Sequence, residues 1–374
     1  MDFELSDEQR SLADTARQLL SRRFDSDRAR QALDHPPVTL PEGLWEELAA
    51  LGWIGIAVAA DKGGSGGDIL TACVLAEEAG RALLPSALTS AMVAAMALEH
   101  AGDDPGVELL VGLCEGTRSV ACAIEEPGGG WGPDQVHAGV EPAGDAWVLS
   151  GTKILVPDAL GADHLLVAAR TPDGRGLVVV PADADGVAVT PMRRIDGGDI
   201  AEIVLEQVRV EPGSLLGTDA AAEATLREVY DRWTVLVAAD LLGVAQAALD
   251  LTVTYAGQRV QFGRPIGAFQ AVSHRLADVL VDVEITRSLL YGACLALDED
   301  RPDAAALVSA AKASANEAAV RSTEAALQLH GGIGFSWELD VHLLLRRARA
   351  GAVTLGDTAH HLDRIYELRT HERV

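Results

Sequence analysis

The sequence predicts an α+β protein in which a β-domain stands between two helical regions. Three observations predict it. Apolar residues recur at helical spacing through the first third of the chain, short Val-rich segments separated by turn residues fill the middle, and long helical patterns then return. The expected boundaries are 1–117, 118–220 and 221–374. A chain of 374 residues suits two or three packed domains, and its 48% hydrophobic content supports a sizeable core.

The first region opens with "LSDEQRSLADTARQLLSRRF", where Ser6 and Gln9 stand in capping-box spacing and Leu12, Ala16, Leu19 and Phe24 follow at near-helical intervals. "LPEGLWEELAALGW" and "DILTACVLAEEAGRALLPSALTSAMVAAMALEHAG" continue the helical style. Between them "DKGGSGGD" (61–68) lacks the G-K-[ST] ending of a phosphate loop and reads as a flexible connection between helices. In the middle region "SVACAIEE", "DHLLVAAR", "GLVVVPAD" and "EIVLEQVRV" are strand-like, and "PGGG", "AGDA" and "PDGRG" are turns, which predicts an antiparallel barrel or sandwich. The loop "EEPGGGWGPD" (125–134) follows a strand, where a β-domain can present it to a ligand. In the last region "EATLREVYDRWTVLVAADLLGVAQAALDLTVTYAGQR" predicts a helix of more than 30 residues, the first of an up-down bundle.

Charge and composition narrow the function. A formal charge of −26 argues against a nucleic-acid surface and against a basic membrane-binding face. Lysine occurs only at 62, 153 and 312, so an anionic ligand needs local arginines. The cysteines Cys73, Cys114, Cys122 and Cys294 form no C-x-x-C pair, which predicts buried reduced thiols in a cytoplasmic protein. The acidic N-terminus does not read as a signal peptide, and no run reaches the roughly 18 apolar residues of a membrane span.

Near the C-terminus, "AGAVTLGDTAHHLDRIYE" crowds Asp357, His360 and His361 together. Asp357 and His361 share a helical face, but no third ligand lies nearby, so no metal site is expected and Asp357 is read as the N-cap of the last helix. Two other stretches are more informative. "YAGQRVQFGRPIGAFQAVSHRLAD" (255–278) places Arg259, Phe262, Phe269 and Gln270 around a break between helices made by Gly263 and Pro265. "QLHGGIGF" (328–335) ends another helix at Gly331 and Gly332, where a backbone can approach a ligand closely. Arginine and backbone amides at such breaks suit a pyrophosphate.

The R-x-x-F-G-x-P-I-x-x-F-Q and Q-x-x-G-G-x-G-F patterns resemble the acyl-CoA dehydrogenase family, and the likeness covers the whole chain. It implies two helical domains around a β-barrel with a C-terminal four-helix bundle. It also implies FAD, an acyl-CoA substrate oxidised to its 2-enoyl form, and an electron-transfer flavoprotein as acceptor. In the family a neighbouring subunit helps to hold the FAD; the matching residues here are Arg259, Phe262, Phe269, Gln270, Gln328, Gly331 and Gly332. The flavin-ring half departs from the pattern. Glu125-Glu126-Pro127 stands for "TEP", and Leu155-Val156-Pro157 for "W-I-T". A carboxylate at 125 is electrostatically unfavourable beside an anionic reduced flavin.

The base departs too. Leu355 stands where most members carry the proton-abstracting Glu, and Trp233 stands at the alternative position on the long helix. Neither side chain accepts a proton. Asp240 and Asp357 are the remaining candidate bases. The leading expectation is a subunit similar to the non-catalytic type of heteromeric bacterial steroid side-chain acyl-CoA dehydrogenases, completing the FAD site of a catalytic paralogue in an α2β2 assembly. The alternatives are a self-sufficient homomeric dehydrogenase with an unusual base and a flavin-free acyl-CoA-binding protein.

Overall fold

The computed structural model describes residues 5–34, 37, 39–100, 104–128, 130–144, 146–216 and 219–371. The helices are α1 (Asp7–Arg23), α2 (Ser26–Asp34), α3 (Leu44–Ala50), α4 (Ile69–Arg81), α5 (Ala87–Leu98), α6 (Asp104–Cys114), α7 (Asp219–Gln258), α8 (Gln270–Asp298), α9 (Ala304–His330), α10 (Val341–Gly351) and α11 (Thr358–His371). The strands are β1 (Val120–Ala123), β2 (Gly139–Ala143), β3 (Ala146–Pro157), β4 (His164–Thr171), β5 (Gly174–Pro181), β6 (Val187–Pro191), β7 (Ile200–Val210), β8 (Leu215–Leu216), β9 (Val260–Gln261) and β10 (Arg264–Pro265). Contacts divide the chain into two compact units, one of Met1–Asp34, Cys73–Leu84 and Thr234–Val374, the other of His35–Ala72 and Pro85–Trp233. The division falls within α4 and α7.

In the first unit, α1 starts where the sequence predicts. Gln9 N–H donates to Ser6 Oγ at 3.1 Å and Ser6 N–H to Gln9 Oε1 at 3.0 Å, and the helix buries Ala16, Leu19 and Leu20. α4 and α7 touch backbone to backbone. A Cβ on Gly80 would lie 2.1 Å from the carbonyl oxygen of Asp240, and one on Gly243 1.9 Å from that of Glu77. Only glycine permits this approach. The long α7 is apolar because the protein buries it. By length and composition its Ala221–Gln258 portion could cross a membrane, which corrects the expectation of no such run, yet 72% of its most apolar window is buried inside the protein. All four cysteines are free and buried, with Cys73 Sγ and Cys294 Sγ 3.5 Å apart.

The second unit is built on one eight-stranded sheet in the order β6-β7-β3-β2-β4-β5-β8, with β1 added on β4. The expected antiparallel pattern holds for most pairs, but β1–β4 and β2–β4 are parallel. The chain completes the β2–β3 hairpin before β4 is laid down, so β4 runs in the same direction as both β1 and β2. Leu149, Val156, Leu165, Val167, Val178, Val180, Ile203 and Leu205 fill the interior. The β3–β7 ladder shifts register between Lys153 and Val156, and Leu155 in that irregularity has φ 55°. The 61–68 segment is a connection, as expected, but a tightly bonded one. The amides of Ser65, Gly66 and Gly67 donate to the carbonyls of Gly55, Val58 and Ile56 at 2.8–2.9 Å, so they are not offered to a phosphate.

Candidate functional site

The hairpin between α7 and α8 carries most of the predicted ligand-facing residues. β9 and β10 pair through Gln261–Arg264 and Val260–Pro265, and the two turn residues Phe262 and Gly263 have φ 50° and 77°. Two successive positive φ values are those of a two-residue hairpin turn matching strand twist. Phe262 is thrust into solvent, 93% exposed, with its ring edge-on to Phe269 at 6.1 Å. The guanidinium of Arg264 lies 4.1 Å above the Phe269 ring, a cation–π contact that fixes the base of the hairpin. Arg259 extends the last turn of α7 through its N–H to Tyr255 O, and its carbonyl accepts Ile266 N–H, both at 2.8 Å. Its side chain is exposed and makes no ion pair or hydrogen bond among the described residues. Gln270 is the exposed first residue of α8.

The end of α9 lies beside this hairpin. Tyr255 on α7 stacks on His330 with centroids 4.3 Å apart, which brings the two helix ends together. Gln328 is exposed on the last turn of α9. Gly331 adopts φ 62°, ψ −140°, and nothing lies within 4 Å of a Cβ built on Gly331 or Gly332. Phe335 and Trp337 follow, 72% and 54% exposed. Thus one end of the bundle presents an unpaired arginine, a side-chain-free backbone and several uncovered aromatic rings. Such a surface suits an anion joined to flat rings.

The β-domain offers a different set. Glu126 is tied down: it receives Lys153 Nζ at 2.6 Å and the amides of His137 and Ala138, each at 2.9 Å. Glu125 beside it is not. Its Oε1 is buried without a partner, and burial pushes its carboxyl up to about 7 against a bond from the Gly132 amide. The sequence alone suggests a plain carboxylate; in the fold this group is partly neutral at pH 7. Leu155 is exposed and Pro157 buried, so neither an aromatic face nor a hydroxyl replaces those of the family pattern.

The two predicted base positions and the two substitute acids are all engaged elsewhere. Leu355 is buried in a turn with φ 56°, and Trp233 is buried on α7. Asp240 forms a two-pronged pair with Arg347, Nη2–Oδ1 2.7 Å and Nε–Oδ2 3.0 Å. Asp240 is therefore tied into a bidentate ion pair and is not a free carboxyl available as a base. Asp357 accepts His360 N–H at 2.9 Å and caps α11 as expected. His361 Nε2 lies 3.0 Å from Leu355 O, and burial lowers this histidine to about 2, so it stays neutral. Among the described residues no group of three or more His, Cys, Asp or Glu could hold a metal ion.

Sequence reasoning missed the polar residues that hold this turn. Lys312 is fully buried, with Nζ 2.5 Å from Asn316 Oδ1, 3.1 Å from Gly351 O and 3.3 Å from Gly356 O; burial lowers it to about 7. The scarcity of lysine was the available signal. Two of the three, Lys153 and Lys312, are the fully buried ones.

Comparison with known proteins agrees along the chain. The family models for the acyl-CoA dehydrogenase N-terminal, middle and C-terminal domains match residues 6–116, 121–208 and 230–368. The probable acyl-CoA dehydrogenase YngJ of Bacillus subtilis is 30% identical over 364 residues, covering 93% of this chain and 94% of its own. The 3-sulfinopropanoyl-CoA desulfinase of Paraburkholderia xenovorans is 31% identical, covering 95% and 94%. Among solved structures, a single-residue variant of the Tcur3481-Tcur3483 steroid ACAD superposes with TM-score 0.89 at 34% identity over 98% of this chain and 99% of that one. The ChsE4-ChsE5 complex from Mycobacterium tuberculosis gives 0.89 at 28% identity over 99% of each. With its three domains matched in order over nearly its full length, the chain belongs to the acyl-CoA dehydrogenase family.

Proposed function

We propose that this chain is the FAD-completing subunit of a heteromeric acyl-CoA dehydrogenase, paired in an α2β2 assembly with a paralogue that carries the base. The observation that carries this reading is the contrast between its two half-sites. On the hairpin the Arg259 side chain is exposed and makes no ion pair or hydrogen bond among the described residues, and at the α9 end Gly331 and Gly332 leave the backbone open. The positions of the base hold buried Leu355 and Trp233, and the two substitute acids are spent on Arg347 and on the α11 cap. FAD, when bound, supplies the hydride acceptor for α,β-dehydrogenation of the thioester. Arg259 would pair with its phosphates, Gln270 and Gln328 would hydrogen-bond it, Phe262 and Phe269 would cover its rings, and Gly331 and Gly332 would let the backbone close on it.

The heteromeric reading draws support from the likeness to two solved structures whose descriptions join two named chains, one of them called a steroid ACAD. On that basis the substrate class is a steroid-derived acyl-CoA, the electron acceptor an electron-transfer flavoprotein, and the three segments 1–117, 118–220 and 221–374 act as separate domains. Co-expression with the paralogue, followed by native mass measurement and a flavin absorbance scan, tests the proposal. A yellow α2β2 complex, with this chain alone colourless, is expected. A stable, yellow, active homotetramer of this chain alone overturns it.

A further inference from the structure

One rung of the sheet in the second unit is left open, and the function proposed above makes no use of it. Among the described residues β8 covers only Leu177 and Val178 of β5, pairing them with Leu216 and Leu215. By that register the next partner, Ser214, belongs opposite Val179. The chain leaves the sheet there instead. Pro212–Ser214 forms a 3-10 turn, and Ser214 N–H donates to Glu211 O at 2.9 Å.

Which way Val179 turns follows from the other side of the strand. Ala182 N–H donates to Asp163 O at 2.9 Å, in register with the β4–β5 ladder, while His164 N–H on β4 turns away to Ser119 O at 3.1 Å, beside β1. Successive residues of a strand aim their N–H and C=O groups to alternate sides. Val178 and Val180 therefore aim theirs at β4, and Val179 aims both of its groups at the uncovered edge. Pro181 has no N–H, and its carbonyl accepts Ala184 N–H at 3.1 Å, so the opening ends there.

Val179 lines a groove of about 720 Å³ between β5, α6 and the 211–214 turn. Val107 and Val111, one helical turn apart on α6 and 44% and 36% exposed, give it an apolar wall. Glu108, Glu115 and Glu211 border it; all three are exposed, and none makes an ion pair among the described residues. Arg118 and His164 also border it, so the acids outnumber the cations. An N–H and a C=O side by side on a strand edge match the backbone of another extended chain, whose alternate side chains then meet the surfaces around that edge. We propose that this groove docks an extended, basic segment of a partner protein: its backbone pairs with Val179, its apolar side chains rest on Val107 and Val111, and its lysines or arginines face Glu108, Glu115 and Glu211. The groove stands beside His164 at the start of β1, the opposite end of that strand from the 125–134 loop.

The probe is acetyl-Lys-Val-Lys-Val-Lys-amide, titrated into the full chain, with binding read by calorimetry and hydrogen exchange read at the Val179 amide. Saturating peptide should slow exchange at Val179, and acetyl-Glu-Val-Glu-Val-Glu-amide should not. Backbone N-methylation separates strand pairing from charge attraction alone. Methyl groups on one alternate set of peptide residues should weaken binding about tenfold, through lost hydrogen bonding, and on the other set should leave it nearly unchanged. Val179→Pro removes the free N–H at an edge position, where a strand tolerates proline, and should weaken binding by a similar factor with a native-like thermal melt. No slowing at Val179 in millimolar basic peptide, equal binding of the acidic peptide, or equal effects of the two methylated sets would overturn the proposal. Should Val179→Pro not fold, the peptide series on the native chain decides alone.

Discussion

Asp240 separates two readings of this molecule, and one substitution decides between them. Asp240→Asn keeps the side-chain shape but removes the charge that faces Arg347. Both side chains are only 9% exposed, and the pair is joined at 2.7 and 3.0 Å, with Arg347 Nη2 also reaching Leu84 O at 3.3 Å. Removing one partner of such a pair leaves a buried, uncompensated guanidinium, which costs about 3–5 kcal/mol. Urea unfolding at pH 7 should show that loss as a lower midpoint with unchanged slope. A catalytic base gives the opposite pattern, lost turnover with stability nearly unchanged. Replacing both residues with apolar ones, Asp240→Leu with Arg347→Met, should recover most of the lost stability, because a well-packed apolar pair often matches a buried ion pair. If Asp240→Asn stays within about 0.5 kcal/mol of the native chain, the range of an ordinary surface substitution, the structural reading of Asp240 is refuted.

Other consequences are equally open to measurement. Arg259→Ala should leave the fold of this chain unchanged, since its side chain makes no hydrogen bond or ion pair among the described residues, but should strip flavin colour from the complex with the paralogue. Lys312, lowered to about 7 in the fold from the ordinary 10.5, binds fewer protons folded than unfolded between those values, so stability should rise with pH across that window. Its contribution is up to about 1.4 kcal/mol per pH unit, and the slope should vanish in Lys312→Met. Gly356→Ala should destabilise the chain: φ is 109°, and the new Cβ would fall 2.4 Å from His360 Cδ2 and 2.9 Å from His361 Nε2. A melt unchanged by that substitution would show that the turn adjusts freely. On the proposed division of labour, Leu355→Glu should not make the isolated chain an acyl-CoA dehydrogenase; turnover by that variant alone would remove that division.

The fold was legible because its signals are local. The capping box at Ser6 and Gln9, the helix break at Gly263 and Pro265, and the Asp357 cap all depend on residues a few positions apart, and each stands where the sequence places it. Strand direction was not legible. Which strand lies beside β4 depends on the path of the chain, and alternation of apolar residues is the same in parallel and antiparallel pairs. The buried charges were missed for the same reason. Arg347 lies 107 positions from Asp240, and Lys312 lies 44 from Gly356, so no spacing rule links them. The upward shift of Glu125 was not legible, because a sequence states what a side chain is, while its protonation depends on how far the fold removes it from water.

The backbone supports the idea that a site's frame can outlast its side chains. Seven described residues other than glycine have positive φ, and three of them are Leu155, Phe262 and Leu355. These are the residues matched to a flavin-facing strand, a cofactor-facing hairpin and the base. A left-handed conformation costs a bulky residue roughly 1–2 kcal/mol, so it persists only where the surroundings impose it. At 355 the surroundings are visible: His361 holds the carbonyl of Leu355, and Lys312 and Asn316 hold that of Gly356. Three buried polar side chains are thus committed to shaping a turn that buries a leucine. Nothing about leucine requires that shape. The arrangement is intelligible if the turn is kept as part of an inherited architecture while the proton-abstracting role has passed to a partner, and Phe262, whose side chain keeps the family pattern, stands 93% exposed on its hairpin.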